Sequence, residues 1–307
     1  MFTIYLKNEL CFTMIYLTVC SLIWGFSYGL IKGNLTGISP DLVAWARMVI
    51  PFLCFVPFLR IKSLSLKDVL VFLAIGAVQY GVMYLCVIRS YQYLAAYQVV
   101  LFTACTPIYV TLINDAFSKK FSPFYLAMAG MALVGSAFLY YQNFSWNGIF
   151  TGFLLVQISD LCFAFGQVAY KKFKAKRSEY KDESIYSLLF LGGTLITALS
   201  ATAFGGWGDL ELLSAKQSLL LLYLGAISSG LCFFWWNRAS LAVNSGTLAV
   251  FNNVKIPAGV GLSILFFGEK ANPLATTLSL LFVGGALVLS ELYTRRKGKI
   301  WKKKEAI

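Results

Sequence analysis

The sequence predicts an all-α integral membrane protein with ten transmembrane helices in two inverted five-helix repeats. Three observations carry this. About ten apolar segments follow one another along the 307 residues, each close to the ~20 residues a helix needs to cross a bilayer. The chain is 59% hydrophobic and only 13% charged, with a mean hydropathy of +0.73. A soluble domain carries about 25% charged residues, so the apolar excess fills the chain and leaves no room for a separate soluble domain. Finally, residues 84–142 and 233–292 read as two versions of one design. Pro107 and Pro257 lie 150 positions apart, and Arg89 and Arg238 lie 149 apart. Five spans per half is an odd number, so the second copy enters the membrane upside down, as in alternating-access carriers.

The elements follow in order. The first span, near 10–31, comes after one basic residue, Lys7, and lacks a small-residue cleavage site, so it reads as a retained helix. The second, near 40–59, carries Arg47, and the third, near 68–88, carries Tyr80 and Tyr84. The fourth and fifth, near 94–115 and 122–141, complete the first repeat, residues 1–143. The sixth, near 148–170, carries Gln157, Asp160 and Gln167, and is followed by the longest hydrophilic break, KKFKAKRSEYKDES. The seventh and eighth, near 185–205 and 217–237, lead to a ninth, near 244–267, that holds Asn252, Lys255 and Pro257. The tenth, near 272–292, closes the second repeat, residues 144–294, and a basic tail fills 295–307. Short loops force neighbouring helices to pack antiparallel, and glycines inside the spans, such as Gly76, Gly81 and Gly225, let helix backbones approach closely.

A net charge of +13 suggests an anionic partner such as nucleic acid, but its distribution reads as topology. With the N-terminus inside, the cytoplasmic segments collect Arg60, Lys62, Lys67, Lys119, Lys120, the basic run after the sixth span and the tail. The outer segments hold only Lys32, Arg89, Lys216 and Lys270. This positive-inside bias puts both termini in the cytoplasm, in a bacterial inner membrane. The partners it implies are membrane lipid and a small-molecule substrate, not nucleic acid; oligomeric state is not legible. The seven cysteines lie in or beside apolar spans without a CxxC pair, and the chain has no histidine. No metal site or cofactor is therefore expected.

Charges at bilayer depth cost roughly 2.5–3.5 kcal/mol each and need a reason. Asp160 lies near the middle of the sixth span, with Gln157 and Gln167 on the same helix face. Lys255 lies near the middle of the ninth, with Asn252 one turn earlier and Pro257 two residues later. Proline frees a backbone carbonyl and kinks a helix, so Pro257 and its counterpart Pro107 are candidate hinges. Asp160 and Lys255 either pair with one another or face a cavity. Arg47 either snorkels to the outer interface or serves the same cavity. Trp24 and Tyr28 are one turn apart in the first span, as are Tyr80 and Tyr84 in the third, and all four are candidate pocket walls. Aromatic faces with one carboxylate suit a cation, and Lys255 suits a carboxylate on the same molecule. Trp235 and Trp236, near a span end, are expected in the interfacial belt, and Arg89 and Arg238 as topological anchors.

The chain resembles the EamA-type transporters of the drug/metabolite transporter superfamily over nearly its whole length. The resemblance rests on SLIWGFSYG in the first span, AWARMVIPF in the second, and the end-of-repeat pattern around Pro257, Gly268 and Glu269. The first copy keeps Thr106-Pro107 but has FSKKFS at 117–122 where the pattern has Gly-Glu. The resemblance implies a ten-helix fold with a cavity between inverted halves, and transport of small metabolites.

The function expected is therefore secondary transport of a small polar metabolite by alternating access. The substrate expected is amino-acid-like, amine-bearing or zwitterionic, with an S-adenosylmethionine-like molecule compatible. Asp160 is the candidate for proton coupling, and no catalytic residue is assigned. The alternatives are an integral-membrane enzyme acting on a lipid-linked substrate, for which the outer loops offer little beyond Asp41, Asp209 and Glu211, and a non-transporting scaffold.

Overall fold

The computed structural model describes residues 2–35, 37–60, 64–94, 96–137, 149–243, 245–256 and 273–305. All regular structure among them is helical. The helices are α1 (Phe2–Asn34), α2 (Pro40–Phe58), α3 (Leu66–Ser90), α4 (Gln98–Ser118), α5 (Pro123–Ala137), α6 (Ile149–Ala175), α7 (Asp182–Ala203), α8 (Ala215–Ala242), α9 (Ser245–Phe251) and α10 (Pro273–Glu305). Seven of these, α1 to α4 and α6 to α8, contain stretches long and apolar enough to cross a membrane. Pro123–Gly135 and Thr277–Ser290 are apolar but shorter. The expected ninth span is described only as far as Ile256, so Pro257, Gly268 and Glu269 lie outside the described residues.

Local chemistry sets the helix ends. The Ser65 hydroxyl accepts the amide of Asp68 at 3.1 Å to start α3. Ser214 and Gln217 form a reciprocal capping box at the start of α8. α4 ends at Lys119, the one non-glycine residue with positive φ among those described (49°). α10 runs unbroken into the basic segment after residue 294, where most residues are Lys, Arg and other good helix formers.

α7 sits at the centre, packed on α2 and α3. Its contact with α3 is backbone on backbone: a Cβ on Gly192 would lie 2.1 Å from the carbonyl oxygen of Leu73, and one on Gly76 would lie 1.9 Å from that of Leu189. Only glycine fits at both positions. One large core joins α1, α2, α3, α6, α7 and α8. α5 packs chiefly against α10, through a small separate cluster of Ala132, Val250 and Ala286 and a 3.9 Å stack of Phe124 on Tyr293.

Two long helices carry wide, π-type turns, at Ala77–Val82 in α3 and at Leu224–Leu231 in α8. Both end at residues 149 positions apart, the offset that separates Arg89 from Arg238. α4 is interrupted by a tight 3-10 turn, Thr103–Cys105, before Pro107. α9 stops at Phe251, and the Asn253 side chain then donates to the Ala104 carbonyl at 3.1 Å, joining the two interrupted segments.

Ion pairs tie the helix ends. Arg89 bonds Asp41 at 2.6 Å and Ser200 at 3.0 Å, which gives it a structural partner beyond the anchoring expected. Arg177 bonds Asp68, and Tyr180 donates to the same carboxylate at 2.9 Å. That bond raises the Tyr180 hydroxyl above the ordinary tyrosine range.

Candidate functional site

A cavity of about 80 Å³ opens between α1, α2, α3, α4, α6 and α8, and Lys255 after α9 completes its wall. Its walls are Trp24, Ser27, Tyr28 and Ile31 from α1; Arg47 from α2; Met83, Tyr84, Val87 and Ile88 from α3 with Tyr91 beyond it; Thr103; Ser159, Asp160 and Phe163 from α6; and Ser228 and Phe233 from α8.

The wide turn of α8 builds one end. A π turn displaces carbonyls from their usual α-helical partners, and such turns occur often at functional sites. Here Trp24 Nε1 donates to the Ser228 carbonyl at 2.8 Å, and the Ser27 and Ser228 hydroxyls bond at 3.0 Å. Beside them, Arg47 is 3% exposed, which excludes snorkelling. Its Nη2 donates to the Tyr84 hydroxyl at 2.7 Å and to Ser228 Oγ at 3.3 Å, and its Nε donates to Ser229 Oγ at 3.2 Å. The guanidinium carbon also lies 4.3 Å from the Tyr84 ring centroid. Every partner is neutral, and among the described residues no carboxylate pairs with Arg47. A buried cation without a counter-charge is costly, and an anion in the cavity would offset that cost.

Apart from the Arg47 cluster, with which they share no hydrogen bond, Asp160, Lys255, Ser159 and Thr103 form the other end of the lining. Asp160 and Lys255 are both buried, yet they do not close to an ion pair. Asp160 Oδ2 has no hydrogen-bond partner. Lys255 Nζ lies 6.0 Å from the Tyr28 ring centroid, within reach of the ring's negative face. A second space of about 390 Å³ adjoins the cavity and shares Ile31, Ile88 and Tyr91 with it. The Tyr91 hydroxyl is buried without a partner, while its carbonyl accepts from Lys32 Nζ at 2.6 Å.

The structure brings together six of the expected site residues: Trp24, Tyr28, Arg47, Tyr84, Asp160 and Lys255. Four others do not line the cavity, and three of them join helices. The Tyr80 hydroxyl accepts from Asn237 Nδ2 at 3.0 Å. Gln157 bonds Tyr109 and the Phe102 carbonyl. Gln167 accepts from the Trp236 indole at 3.0 Å, and Asn252 donates to its own helix at Leu248. Helical spacing places residues on a face but does not say whether a neighbouring helix covers it. Trp236 is likewise 1% exposed, not interfacial, and packs 4.8 Å from Trp24. Residue-by-residue reasoning missed Ser27, Tyr91, Thr103, Ser159, Ser228 and Ser229. The pair Ser228-Ser229 inside an otherwise apolar span was the available signal.

The comparisons agree with this architecture. Residues 12–141 match the EamA-like transporter family. A protein of Pseudomonas aeruginosa named as a probable biotin transporter is 32% identical over 93% of this chain and 98% of its own length. The biotin transporter of Escherichia coli is 32% identical over 92% of this chain and 93% of its own, and that of Salmonella typhimurium is 30% identical over the same shares. A crystal structure of a protein only 15% identical superposes over 92% of this chain and 98% of its own, with a TM-score of 0.72, which speaks for the fold alone. This integral membrane protein, built of helices, belongs to the EamA-like transporter family of the drug/metabolite transporter superfamily.

Proposed function

We propose that the protein is a secondary transporter, not an enzyme, that carries a small carboxylate-bearing metabolite of the biotin type by alternating access. The observation that carries this is Arg47, a buried guanidinium on the cavity wall with hydroxyl partners only. A carboxylate is the planar anion a guanidinium binds best. With Asp160 ionised, the charged residues described around the cavity carry one net positive charge, from Arg47, Lys255 and Asp160. A monoanion balances that charge; a zwitterion leaves it in place. This balance and the names of the relatives favour a carboxylic acid over the amine-bearing substrate expected from aromatic residues and Asp160.

The architecture proposed is ten helices in two inverted repeats, 1–143 and 144–294, with both termini cytoplasmic. Its support is the charge bias of the loops, the Pro and Arg offsets, and the two π turns ending at Val82 and Leu231. Pro107, buried where α4 is interrupted, and Pro257 are the proposed hinges. Asp160 is the proposed proton-coupling group, because one oxygen of this buried carboxylate has no partner.

The test is uptake of labelled biotin into vesicles of pure lipid containing only this chain. Saturable uptake that excess unlabelled biotin blocks supports the reading. No biotin uptake by folded protein, with uptake of an amine-bearing metabolite in its place, overturns it.

A further inference from the structure

The two ends of the cavity differ in kind, and the difference assigns an orientation to the substrate. At the Arg47 end the guanidinium is held by hydroxyls alone, those of Tyr84, Ser228 and Ser229. At the other end an acceptor without a donor stands near a donor without an acceptor. Asp160 Oδ2 receives no hydrogen bond, and among the described residues Lys255 Nζ makes neither a hydrogen bond nor an ion pair. Both residues line the cavity, and both are more than nine-tenths buried.

Their charges nearly cancel, so this end does not draw a second ion. It suits a neutral group that offers N–H and C=O side by side: the N–H donates to Asp160, and the C=O accepts from Lys255. Amides, lactams and cyclic ureas have that pattern; thioethers, alkyl chains and dithiolane rings do not. Buried polar groups left unpaired make such a site reject an analogue that lacks the matching atoms.

We propose that Asp160 and Lys255 together read an amide or urea head group, so that the substrate lies with its carboxylate on Arg47 and its head between α6 and the segment after α9. The assignment rests on the transport reading above and adds to it a division of labour. Arg47 selects the acid, and the Asp160–Lys255 pair selects the ring. Thr103 and Ser159, which also line the cavity, carry hydroxyls that can serve as auxiliary partners.

The experiment is competition against labelled biotin uptake in vesicles, with three unlabelled probes. Dethiobiotin keeps the urea and the acid. Biotinamide keeps the urea and loses the acid. Lipoate keeps a five-carbon acid and loses the urea. In the unaltered protein dethiobiotin should compete within a few-fold of biotin, and the other two about 10- to 100-fold less well. Lys255→Met and Asp160→Asn should bring lipoate level with biotin while biotinamide stays poor. Arg47→Gln should do the reverse.

Lipoate competing as well as biotin in the unaltered protein overturns the head-group assignment without touching the transport reading, and needs no variant to fold. Retention of full lipoate discrimination by both Lys255→Met and Asp160→Asn overturns it too. Absence of any biotin uptake by folded protein is the separate result that sinks the transport reading itself.

Discussion

Arg47 and Tyr84 hold one another in two ways at once: the guanidinium donates to the phenol oxygen at 2.7 Å and lies 4.3 Å from the ring centroid. With Ser228 also on Nη2 and Ser229 on Nε, the guanidinium is fixed before any ligand arrives. A donor group held in place loses little freedom on binding, so more of its attraction remains as affinity.

Arg47→Gln should therefore raise the KM for biotin about 10- to 100-fold, and Arg47→Lys should recover only part of the loss, since an ammonium cannot offer the paired donors. Apo protein should behave differently. Removing a buried charge that lacks a counter-ion should leave the apo melting temperature unchanged or raised, while the shift produced by biotin disappears. Thermal melts in detergent with and without biotin check both halves.

Asp160→Asn keeps shape and removes a proton-binding group. Uptake driven by an imposed pH gradient should fall to the level seen without a gradient, while biotin binding persists at reduced affinity. Gradient-stimulated uptake at the unaltered rate would remove Asp160 from coupling.

Gly192→Ala and Gly76→Ala test the central packing. The added methyl meets backbone oxygens of Leu73 and Leu189, which no side-chain rotation can relieve. Each should cost about 1–3 kcal/mol or more, read as a lowered melting temperature with loss of folded yield. Gly29→Ala, with open space at its Cβ position, is the control and should melt as the unaltered protein does.

Trp24→Phe removes the indole donor from the Ser228 carbonyl at the wide turn of α8 while keeping an aromatic face. The expected cost is about 1–2 kcal/mol in stability, together with weaker biotin binding, because the lost bond fixes the wall beside Arg47. Chemical denaturation and competition uptake measure the two effects.

Much of this was legible in the residues alone. Spans near 68–88 and 217–237 fall on α3 and α8, because apolar runs of bilayer length leave little choice of structure. The charges were legible as well: Arg47, Asp160 and Lys255 stood out because nothing but a cavity or a partner makes such residues tolerable at depth. What spacing could not supply was which neighbour covers a polar face. Gln157 and Gln167 share a face with Asp160, yet one meets Tyr109 and the other Trp236. The wide turns were also beyond a pattern method tuned to 3.6 residues per turn, although they set where Ser228 and Ser229 point.

Ile31, Ile88 and Tyr91 face both the central cavity and the adjoining space. On the proposed transport reading, a solute passing from one space to the other meets these three side chains, which then act as both door and seal. They have to part for a solute and yet hold back water and small ions once closed. Shortening Tyr91 to alanine should then do more than alter affinity: vesicles carrying that variant should dissipate an imposed ion gradient without any substrate present.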